Sequence, residues 1–529
     1  MNTLNIVLIT FLLFLGGYIL YGRYLSKTFN VDSRRPTPAQ VKKDGIDCIA
    51  SCHWTILFGH HFSSIAGAGP IVGPVIAVAL WGWGPGLLWI VLGTIFLGGV
   101  HDFGSLMVSV RHDARSVADV AEDLIGRRAK IIFSVFVLLA LILVIAVFAV
   151  LSAKTFVIQP EIVIPSLGLI PLAILVGMSL YRFRVNQILI TFIGLGLLVV
   201  FLFLGSLFPV KIPLAQSLYF WIAVLFLYSY FASVVPVNIL LQPRDYLSSF
   251  LLIFGLISGY MGIFLSPPHI NLPVFISWRT KSGELWPMLF VTIACGAISG
   301  FHSLIASGTT SKQIATERDA RKIGYGAMVM EGLVAVMAVL VIIAGFPSQN
   351  ILNKVLENRG GPIGAFGEGF GRLTNSFLGM YGSSFAVLIL NAFILTTLDT
   401  ATRIGRYLTT ELFRIRNRYL STFIVVILSA FLALTGKWEK LWPIFGASNQ
   451  LVAALALIVI ATWLLSQKRK FYFVAIPAVF MLFTTVGALA LQFRHFLKEG
   501  NFLLSGISIV LILSVLFICW EAKKVLLKR

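Results

Sequence analysis

Residues 59–74 read GHHFSSIAGAGPIVGP and fall where the chain is otherwise apolar enough to cross a membrane. The stretch holds four glycines, two prolines and two adjacent histidines. Glycine and proline interrupt helical hydrogen bonding, and lipid offers no partner for backbone groups freed in this way, so a break survives only inside protein or beside a wet cavity. Transporters build substrate and ion sites from such discontinuous helices. The stretch therefore predicts a broken helix at a transport site.

Composition places the chain in a bilayer. Of its 529 residues, 58% are hydrophobic and 12% are charged, and the mean hydropathy is +0.93, whereas soluble domains average about 45–50% apolar and about 25% charged residues. The predicted fold class is an all-α polytopic membrane protein with a single transmembrane domain over residues 1–529. Windows of about 20 apolar residues predict about fifteen helices, at 4–20, 60–80, 86–106, 131–151, 161–180, 186–208, 218–241, 248–266, 288–311, 323–346, 376–401, 419–435, 442–466, 471–491 and 502–520.

The net charge of +20 is a topology signal. With the N-terminus outside, 30 of the 41 lysines and arginines fall on one side of the predicted helices and 11 on the other. This positive-inside bias predicts an N-out, C-in orientation. Because membrane topology explains the basic charge, we expect no nucleic-acid partner. The first helix has no basic segment before it, which indicates a retained anchor and not a signal peptide. Four cysteines form no disulfide framework.

A second segment resembles the first. Residues 300–310, GFHSLIASGTT, share the small and hydroxyl residues of 62–69, FSSIAGAG. In the predicted topology the two segments run in opposite directions, as inverted repeats require. We therefore expect an inverted-repeat core with two broken helices, its halves at 53–209 and 288–466.

Ten short motifs, in order along the chain, resemble the carbon starvation protein A family. They are DGID (44–47), FGHHF (58–62), IAGAGPIVGP (65–74), DF (102–103), SVR (109–111), SGFHSLIASGTT (299–310), GYGAM (324–328), EG (331–332), LDT (398–400) and GASNQL (446–451).

The resemblance implies a transporter of the bacterial inner membrane, linked to peptide uptake during carbon limitation, with some members similar to proton-coupled pyruvate carriers. It also implies a fold similar to the amino acid, polyamine and organocation superfamily. The chain departs from the family pattern at Ile49-Ala50-Ser51-Cys52, where the family usually has Pro-Thr, and at Ser63-Ser64, where it has Ala-Ala.

Three acids fall inside predicted spans, where an ionised side chain costs about 2.5–3.5 kcal/mol and so needs a reason. Glu331 lies well inside its helix with no lysine or arginine near it, which suits a proton-coupling group or, alternatively, a hydrogen bond between helices. Asp102 lies close to Arg111, so we expect an interfacial salt bridge there or a part in coupling.

Asp399 has two interpretations. Arg403 follows it by one helical turn and can pair with it at the interface. Alternatively, the hydroxyls of Thr396, Thr397 and Thr400, with carbonyls freed by the first break, offer oxygen ligands for a sodium ion; by resemblance to the superfamily, this helix is where a cation site often lies. Sequence alone leaves proton and sodium coupling open.

Substrate contacts are expected at the two breaks. Imidazoles at His60, His61 and His302 can donate to an anion or carry a proton near neutral pH. The remaining predicted contacts are small or hydroxyl residues, whose N–H or O–H groups suit the carboxylate that pyruvate and peptides share: Ser63, Ser64, Gly67, Gly69, Ser303, Gly308 and Thr309.

The sequence supports three alternative functions less well than transport. Cys48, Cys52 and His53, with His60, His61 and His101, raise a membrane metalloenzyme, but no fixed ligand set or substrate pocket accompanies them. A nutrient sensor acting through a partner kinase is weakened because the sequence shows no soluble signalling domain. A channel is disfavoured because inverted broken helices with buried acids are typical of alternating access. We expect a non-enzymatic transporter without cofactor or bound metal. Its expected partners are a small-molecule substrate, a proton or sodium ion, the lipid bilayer and, as an option, a regulatory membrane protein.

Overall fold

The computed structural model describes residues 3–212, 217–265, 267–435 and 438–526, and most of these residues are helical. In the first half the helices are α1 Thr3–Gly16, α2 Gly22–Thr28, α3 Pro38–Val41, α4 Trp54–Ile65, α5 Gly69–Trp81, α6 Trp83–Gly93, α7 Gly99–Arg111, α8 Val117–Leu124, α9 Arg127–Ile158, α10 Val163–Tyr181, α11 Gln187–Leu207, α12 Ser217–Val234 and α13 Leu241–Leu265.

A short antiparallel hairpin, β1 Arg279–Thr280 and β2 Gly283–Glu284, opens the second half. The helices that follow are α14 Leu285–Thr292, α15 Gly300–Gly308, α16 Gly326–Gly345, α17 Gln349–Asn358, α18 Gly361–Leu378, α19 Gly382–Phe413, α20 Arg418–Thr435, α21 Trp438–Ser466, α22 Tyr472–Lys498 and α23 Phe502–Leu526. Single π-helical turns occupy Gly17–Tyr21, Thr94–Gly98 and Arg321–Tyr325.

Within the described residues, thirteen helical segments are long and apolar enough to cross a membrane. They match thirteen of the fifteen predicted spans. The twelfth predicted span is α20, whose apolar part, Arg418–Leu434, is shorter. The ninth is the pair α14 and α15, which the chain interrupts at 293–299. The all-α polytopic class expected from composition is confirmed.

Two spans are broken near their middle. The first break is residues 66–68, between α4 and α5, inside the glycine-rich stretch that predicted it. The second is residues 293–299, between α14 and α15, where Gly296 has a φ of +88° that favours glycine. This break lies ahead of His302 and not at Gly308, which is the last residue of α15.

The first broken span and a helix beside the second lie at the centre of the molecule. The apolar window of the broken span Trp54–Trp81 is 83% buried, and that of the unbroken span Leu441–Ser466 is 94% buried. The window of Gln187–Leu207, by contrast, is 28% buried and faces outward. Helix α4 packs on α13, and α15 packs on α7 and α21. These contacts are close: a Cβ atom on Gly59 would lie 3.1 Å from the Cα atom of Tyr246 in α13. The helix halves therefore place their polar side chains against unbroken helices.

Candidate functional site

One group of buried ionisable side chains surrounds His302, in the first turn of α15. The Nδ1 atom of His302 lies 3.0 Å from Oδ2 of Asp102 on α7, and its Nε2 atom lies 3.2 Å from Oε2 of Glu331 on α16. Asp102 Oδ1 is 2.8 Å from Nδ1 of its neighbour His101. All four side chains are fully buried. We call these four residues the His302 cluster.

Irregular backbone precedes each helix that contributes to this cluster. His302 follows the second break, Asp102 follows the π turn Thr94–Gly98, and Glu331 follows the π turn Arg321–Tyr325. Within the described chain, the Nε2 atoms of His101 and His302 and both carboxyl oxygens of Glu331 have no hydrogen-bond partner. Buried polar atoms left unpaired are costly. The cluster is therefore suited to receive a further proton, ion or ligand.

The predicted salt bridge between Asp102 and Arg111 is wrong. Arg111 reaches Glu317 instead, with Nε 2.6 Å from Oε1, and it also contacts the backbone oxygen of Asn30. Asp102 faces the interior of the bundle because it lies more than two turns before the end of α7, whereas Arg111 is the last residue of that helix. The partners of Asp102 are both histidines.

A second buried group forms around Arg244 on α13. Its guanidinium pairs with Asp399 on α19 and contacts the hydroxyl of Tyr228 on α12, and its NH2 atom lies 3.0 Å from Oδ1 of Asp245. Tyr228 donates to Asp399 at 2.6 Å, and Asp245 lies 2.6 Å from Nδ1 of His60 on α4. We call these five residues the Arg244 cluster.

The predicted pairing of Asp399 with Arg403 is wrong. Although one turn separates them, Arg403 extends away from Asp399 and pairs with Asp47, with NH1 2.7 Å from Oδ1; it also donates to the backbone oxygen of Ala232 at 2.7 Å. The partner of Asp399 is Arg244. This residue lies between two predicted spans, but it is 2% exposed in the first turn of α13.

Asp47 lies outside the spans and is held by positive charge. Burial works to raise the pKa of this carboxyl group, but Arg403 and Arg406 outweigh it and leave the pKa below its ordinary value. Arg406 NH2 lies 3.0 Å from Asp47 Oδ2. The loop before α4 is thereby tied to α19.

The hydroxyls expected to bind sodium are bonded to the first broken helix. Thr396 and Thr397 on α19 donate to the backbone oxygens of Ser63 and Ser64, at 2.5 and 3.1 Å. The Ser64 hydroxyl lies 3.1 Å from that of Thr400. The structure thus brings the predicted hydroxyls and freed carbonyls together, but as direct hydrogen bonds between α4 and α19.

The glycines of the first break serve close packing. The N–H of Gly67 donates to the backbone oxygen of Ile65 at 2.8 Å, and a Cβ atom on Gly67 would lie 2.8 Å from Oγ1 of Thr397. A Cβ atom on Gly69 would lie 2.5 Å from Sγ of Cys295 in the second break. The two breaks are therefore in contact with each other.

The predicted residues of α15 other than His302 bond within their own helix. Ser303 donates to the backbone oxygen of Gly300 at 2.7 Å, and Thr309 donates to that of Ile305 at 3.0 Å. We expected free N–H groups for the substrate at Gly308, and this is wrong. Gly308 is the last residue of α15, and the end of a helix leaves carbonyl groups unpaired, not N–H groups.

The two adjacent histidines of α4 have different surroundings. His60 belongs to the Arg244 cluster, and its Nε2 atom lies 3.3 Å from Nε2 of Gln313. His61 points elsewhere: its Nδ1 atom hydrogen-bonds Thr310 Oγ1 at 2.8 Å, and its buried Nε2 atom has no partner among the described residues. Ser63, also on α4, donates to the backbone oxygen of Asp245 at 2.9 Å.

The residues that raised a metalloenzyme do not converge. Cys48 is buried against the backbone oxygen of Pro38, Cys52 is exposed, and His53 caps α4 by accepting the N–H of Thr55. All four cysteines are free, in agreement with the expected lack of a disulfide framework.

Three residues of the Arg244 cluster and one residue of the second break were not predicted from the sequence: Arg244, Asp245, Tyr228 and Cys295. Arg244 and Asp245 lie between two predicted spans. A search for apolar windows leaves charged residues outside the predicted helix, even where their side chains are buried in protein. Cys295 precedes Gly296 inside an apolar run, and that glycine was the available signal for the second break.

A cavity of about 570 Å³ lies near the hairpin, and its lining includes Arg279, Glu284, Gln492 and His495. It also reaches Thr292, the last residue of α14. The cavity thus begins at the edge of the second break without including a member of either cluster.

Two broken helices in contact, enclosed by unbroken helices and lined by buried ionisable side chains, define the core of a membrane transporter. The chain belongs to the carbon starvation protein CstA family, whose model matches residues 2–350 and 346–488. It is a multi-pass protein of the inner membrane.

Similar proteins agree with this class. The pyruvate/proton symporter BtsT of Escherichia coli is 30% identical, over 93% of this chain and 82% of its own. The peptide transporter CstA of Bacillus subtilis is 31% identical, over 92% and 90%. Among solved structures, that of MhsT in complex with L-phenylalanine superimposes with a TM-score of 0.52 and 14% identity, over 89% of this chain and all of the other.

Proposed function

We propose that this protein imports a small carboxylate such as pyruvate, or peptides, by symport with protons when carbon is limiting. The observation that carries the proposal is the position of His302, whose two ring nitrogens face the carboxyl groups of Asp102 and Glu331. An imidazole between two carboxyl groups can accept a proton from one and pass it to the other. A relative named as a pyruvate/proton symporter supports this choice.

Glu331 is the group we assign to proton binding. It is fully buried on α16, and its Oε2 atom lies 3.2 Å from Nε2 of His302. Uptake and release of a proton at Glu331 changes the net charge of the cluster by one. In a low-dielectric interior such a change alters the attraction between α15 and α16, and α15 is half of a broken helix.

Coupling by protons is favoured over sodium at α19. Asp399 is paired with Arg244, and Thr396 and Thr397 donate to backbone oxygens. A sodium ion needs oxygen ligands that are free of a competing positive charge. The guanidinium of Arg244 already supplies the positive charge beside Asp399.

We place the substrate carboxylate between α4 and α15, which are in contact. His61 on α4 has a buried Nε2 atom without a partner among the described residues, and its other ring nitrogen bonds Thr310, just beyond the end of α15. An imidazole N–H suits a carboxylate, whereas the start of α15 is partly occupied, because the N–H of Phe301 donates to Asn449. Ser303 and Thr309 already donate to backbone oxygens of α15 and are secondary candidates.

Alternating access follows from two inverted repeats, which we extend to 54–265 and 285–466. In the first, α4 packs on α13 and α9 on α12; in the second, α14 packs on α21 and α19 on α20. The span after each break carries a π turn. Helices α10 and α11 then form an inserted pair in the first repeat.

The test is uptake of labelled pyruvate and of a labelled dipeptide into proteoliposomes with an imposed proton gradient. We expect saturable, gradient-driven uptake of one of them. The Glu331→Gln variant should lose gradient-driven accumulation but retain exchange of labelled for unlabelled substrate, because exchange needs no net proton movement.

The matched control is Glu357→Gln, since Glu357 is an exposed acid on α17. It should behave like the wild type. Accumulation that follows a sodium gradient instead, or a Glu331→Gln variant that accumulates substrate normally, would contradict proton coupling at Glu331.

A further inference from the structure

Three potential metal ligands converge where the second break meets α16. Cys295 lies in the break, His302 begins α15, and Glu331 lies on α16; one ligand atom from each falls within 4.8 Å of the others. All three side chains are buried. Tetrahedral bonds of about 2.0–2.3 Å place ligand atoms about 3.3–3.8 Å apart. The Nε2 atom of His302 and Oε2 of Glu331 are already 3.2 Å apart, and the widest separation in the set would have to close by about 1 Å.

Two of the three ligands also present unpaired atoms, whereas the Cys295 thiol donates to Oγ of Ser299 at 3.5 Å. His302 Nε2 and both carboxyl oxygens of Glu331 are fully buried, and none has a hydrogen-bond partner among the described residues. His302 Nε2 and Glu331 Oε2 face each other at 3.2 Å without hydrogen-bond geometry. Atoms buried in this way usually have a ligand to satisfy them.

We propose that Cys295, His302 and Glu331 bind a divalent transition-metal ion of the zinc class. A thiolate, an imidazole nitrogen and a carboxylate oxygen form a mixed set that suits zinc, cobalt or iron, whereas magnesium and calcium prefer oxygen ligands alone. Three protein ligands leave a fourth position open, as in sites that bind a second molecule.

The surrounding residues support metal binding. Nδ1 of His302 lies 3.0 Å from Asp102 Oδ2, and a carboxylate at this position holds the imidazole with Nε2 free to bind a metal. Asp102 is held in turn by His101. On the other side, Nδ2 of Asn449 donates to Sγ of Cys295 at 3.5 Å.

Metal binding at these residues does not depend on transport. A metal ion and a proton would compete for the same atoms of His302 and Glu331, but metal binding is measured on the purified protein without substrate. Failure of the metal proposal therefore leaves proton coupling untouched, and failure of transport leaves the metal site untouched.

The experiment is titration of the full-length, tag-free protein in detergent with Co²⁺. We expect one equivalent to produce a thiolate-to-cobalt charge-transfer band together with the visible bands of a four-coordinate ion, and Zn²⁺ to displace it. Cys295→Ser should abolish the charge-transfer band, while Cys52→Ser, at an exposed cysteine, should retain it. Asp102→Asn should weaken affinity about 10–100-fold.

A measurement on the wild type guards against a variant that fails to fold. X-ray absorption of the zinc-loaded protein should show one sulfur at about 2.3 Å. A wild-type protein that gives no charge-transfer band, a zinc shell without sulfur, or a band that persists in folded Cys295→Ser would each overturn the proposal.

Discussion

Gly69 and Cys295 are in direct contact across the two helix breaks, although 226 positions separate them: a Cβ atom on Gly69 would lie 2.5 Å from the Cys295 sulfur. The absence of a side chain at residue 69 is what lets the two interrupted helices meet. The unpaired ligand atoms of His302 and Glu331 lie close to the same sulfur.

Replacing Gly69 by alanine should therefore push the breaks apart. We expect Gly69→Ala to lower stability by about 1–3 kcal/mol, the usual cost of overpacking, and to reduce transport. The midpoint of thermal unfolding in detergent and uptake into proteoliposomes measure the two effects. Gly196→Ala is the control, because a Cβ atom there meets nothing within 4 Å; equal behaviour of the two variants would contradict the contact.

The pair Arg244–Asp399 should behave as a buried ion pair. Arg244→Gln leaves the buried carboxylate of Asp399 without its positive partner, which costs about 3–5 kcal/mol. Asp399→Asn should cost less, because Arg244 keeps its contact with Asp245. The double variant should lose less than the sum of the two, because neither charge then remains. Thermal unfolding of the four proteins forms the cycle, and strictly additive losses would contradict the pairing.

A surface pair supplies the reference for that cycle. Arg372 and Glu368 lie 2.6 Å apart one turn from each other on α18, and their side chains are 41% and 23% exposed. Exposed pairs contribute about 0–1 kcal/mol. Arg372→Gln should therefore shift the unfolding midpoint far less than Arg244→Gln.

Acid should weaken the attachment of the loop before α4. The pKa of Asp47 in the folded protein lies below its ordinary value of 3.8. The stabilisation is therefore fully present above about pH 4 and is lost as pH falls through the lower, folded pKa. The wild type should unfold at a higher temperature than Asp47→Asn at neutral pH, and the gap should shrink on acidification. A gap independent of pH would show that the charge of Asp47 does not stabilise the fold.

Asn449 should prove structural. Its side-chain oxygen accepts the N–H of Phe301 at 2.8 Å, and its Nδ2 atom donates to Ser299 at 2.9 Å. Asn449→Leu leaves a buried N–H at the start of α15 unpaired, so stability should fall by about 1–3 kcal/mol. Thr462→Val on the same helix is the control, because among the described residues the Thr462 hydroxyl bonds within its own helix, to Ile458. An Asn449→Leu variant as stable as Thr462→Val would contradict this role.

The first break could be predicted because glycine and proline act locally, whatever surrounds them. The second was placed too late because the resemblance between 300–310 and 62–69 drew attention to residues that are helical, while the irregular backbone lies at Gly296. The same limit applies to charge. Hydropathy marks Arg244 as outside the apolar span, and only its contacts with Tyr228 on α12 and Asp399 on α19 show that it is buried.

Spacing along one helix was a weaker guide than packing between helices. Asp399 and Arg403 have the separation of an ion pair, yet a long arginine side chain can reach in several directions, and Arg403 reaches Asp47. Glu331 was identified because an isolated acid in an apolar helix has few explanations, but its histidine partner comes from a segment 29 positions away.

Consecutive residues of α4 touch different parts of the interior: His60 bonds Asp245 in the Arg244 cluster, and His61 bonds Thr310, just beyond α15. Adjacent side chains therefore attach this half-helix to α13 and to the end of α15 at the same time. Any tilt of α4 would strain both imidazole contacts at once.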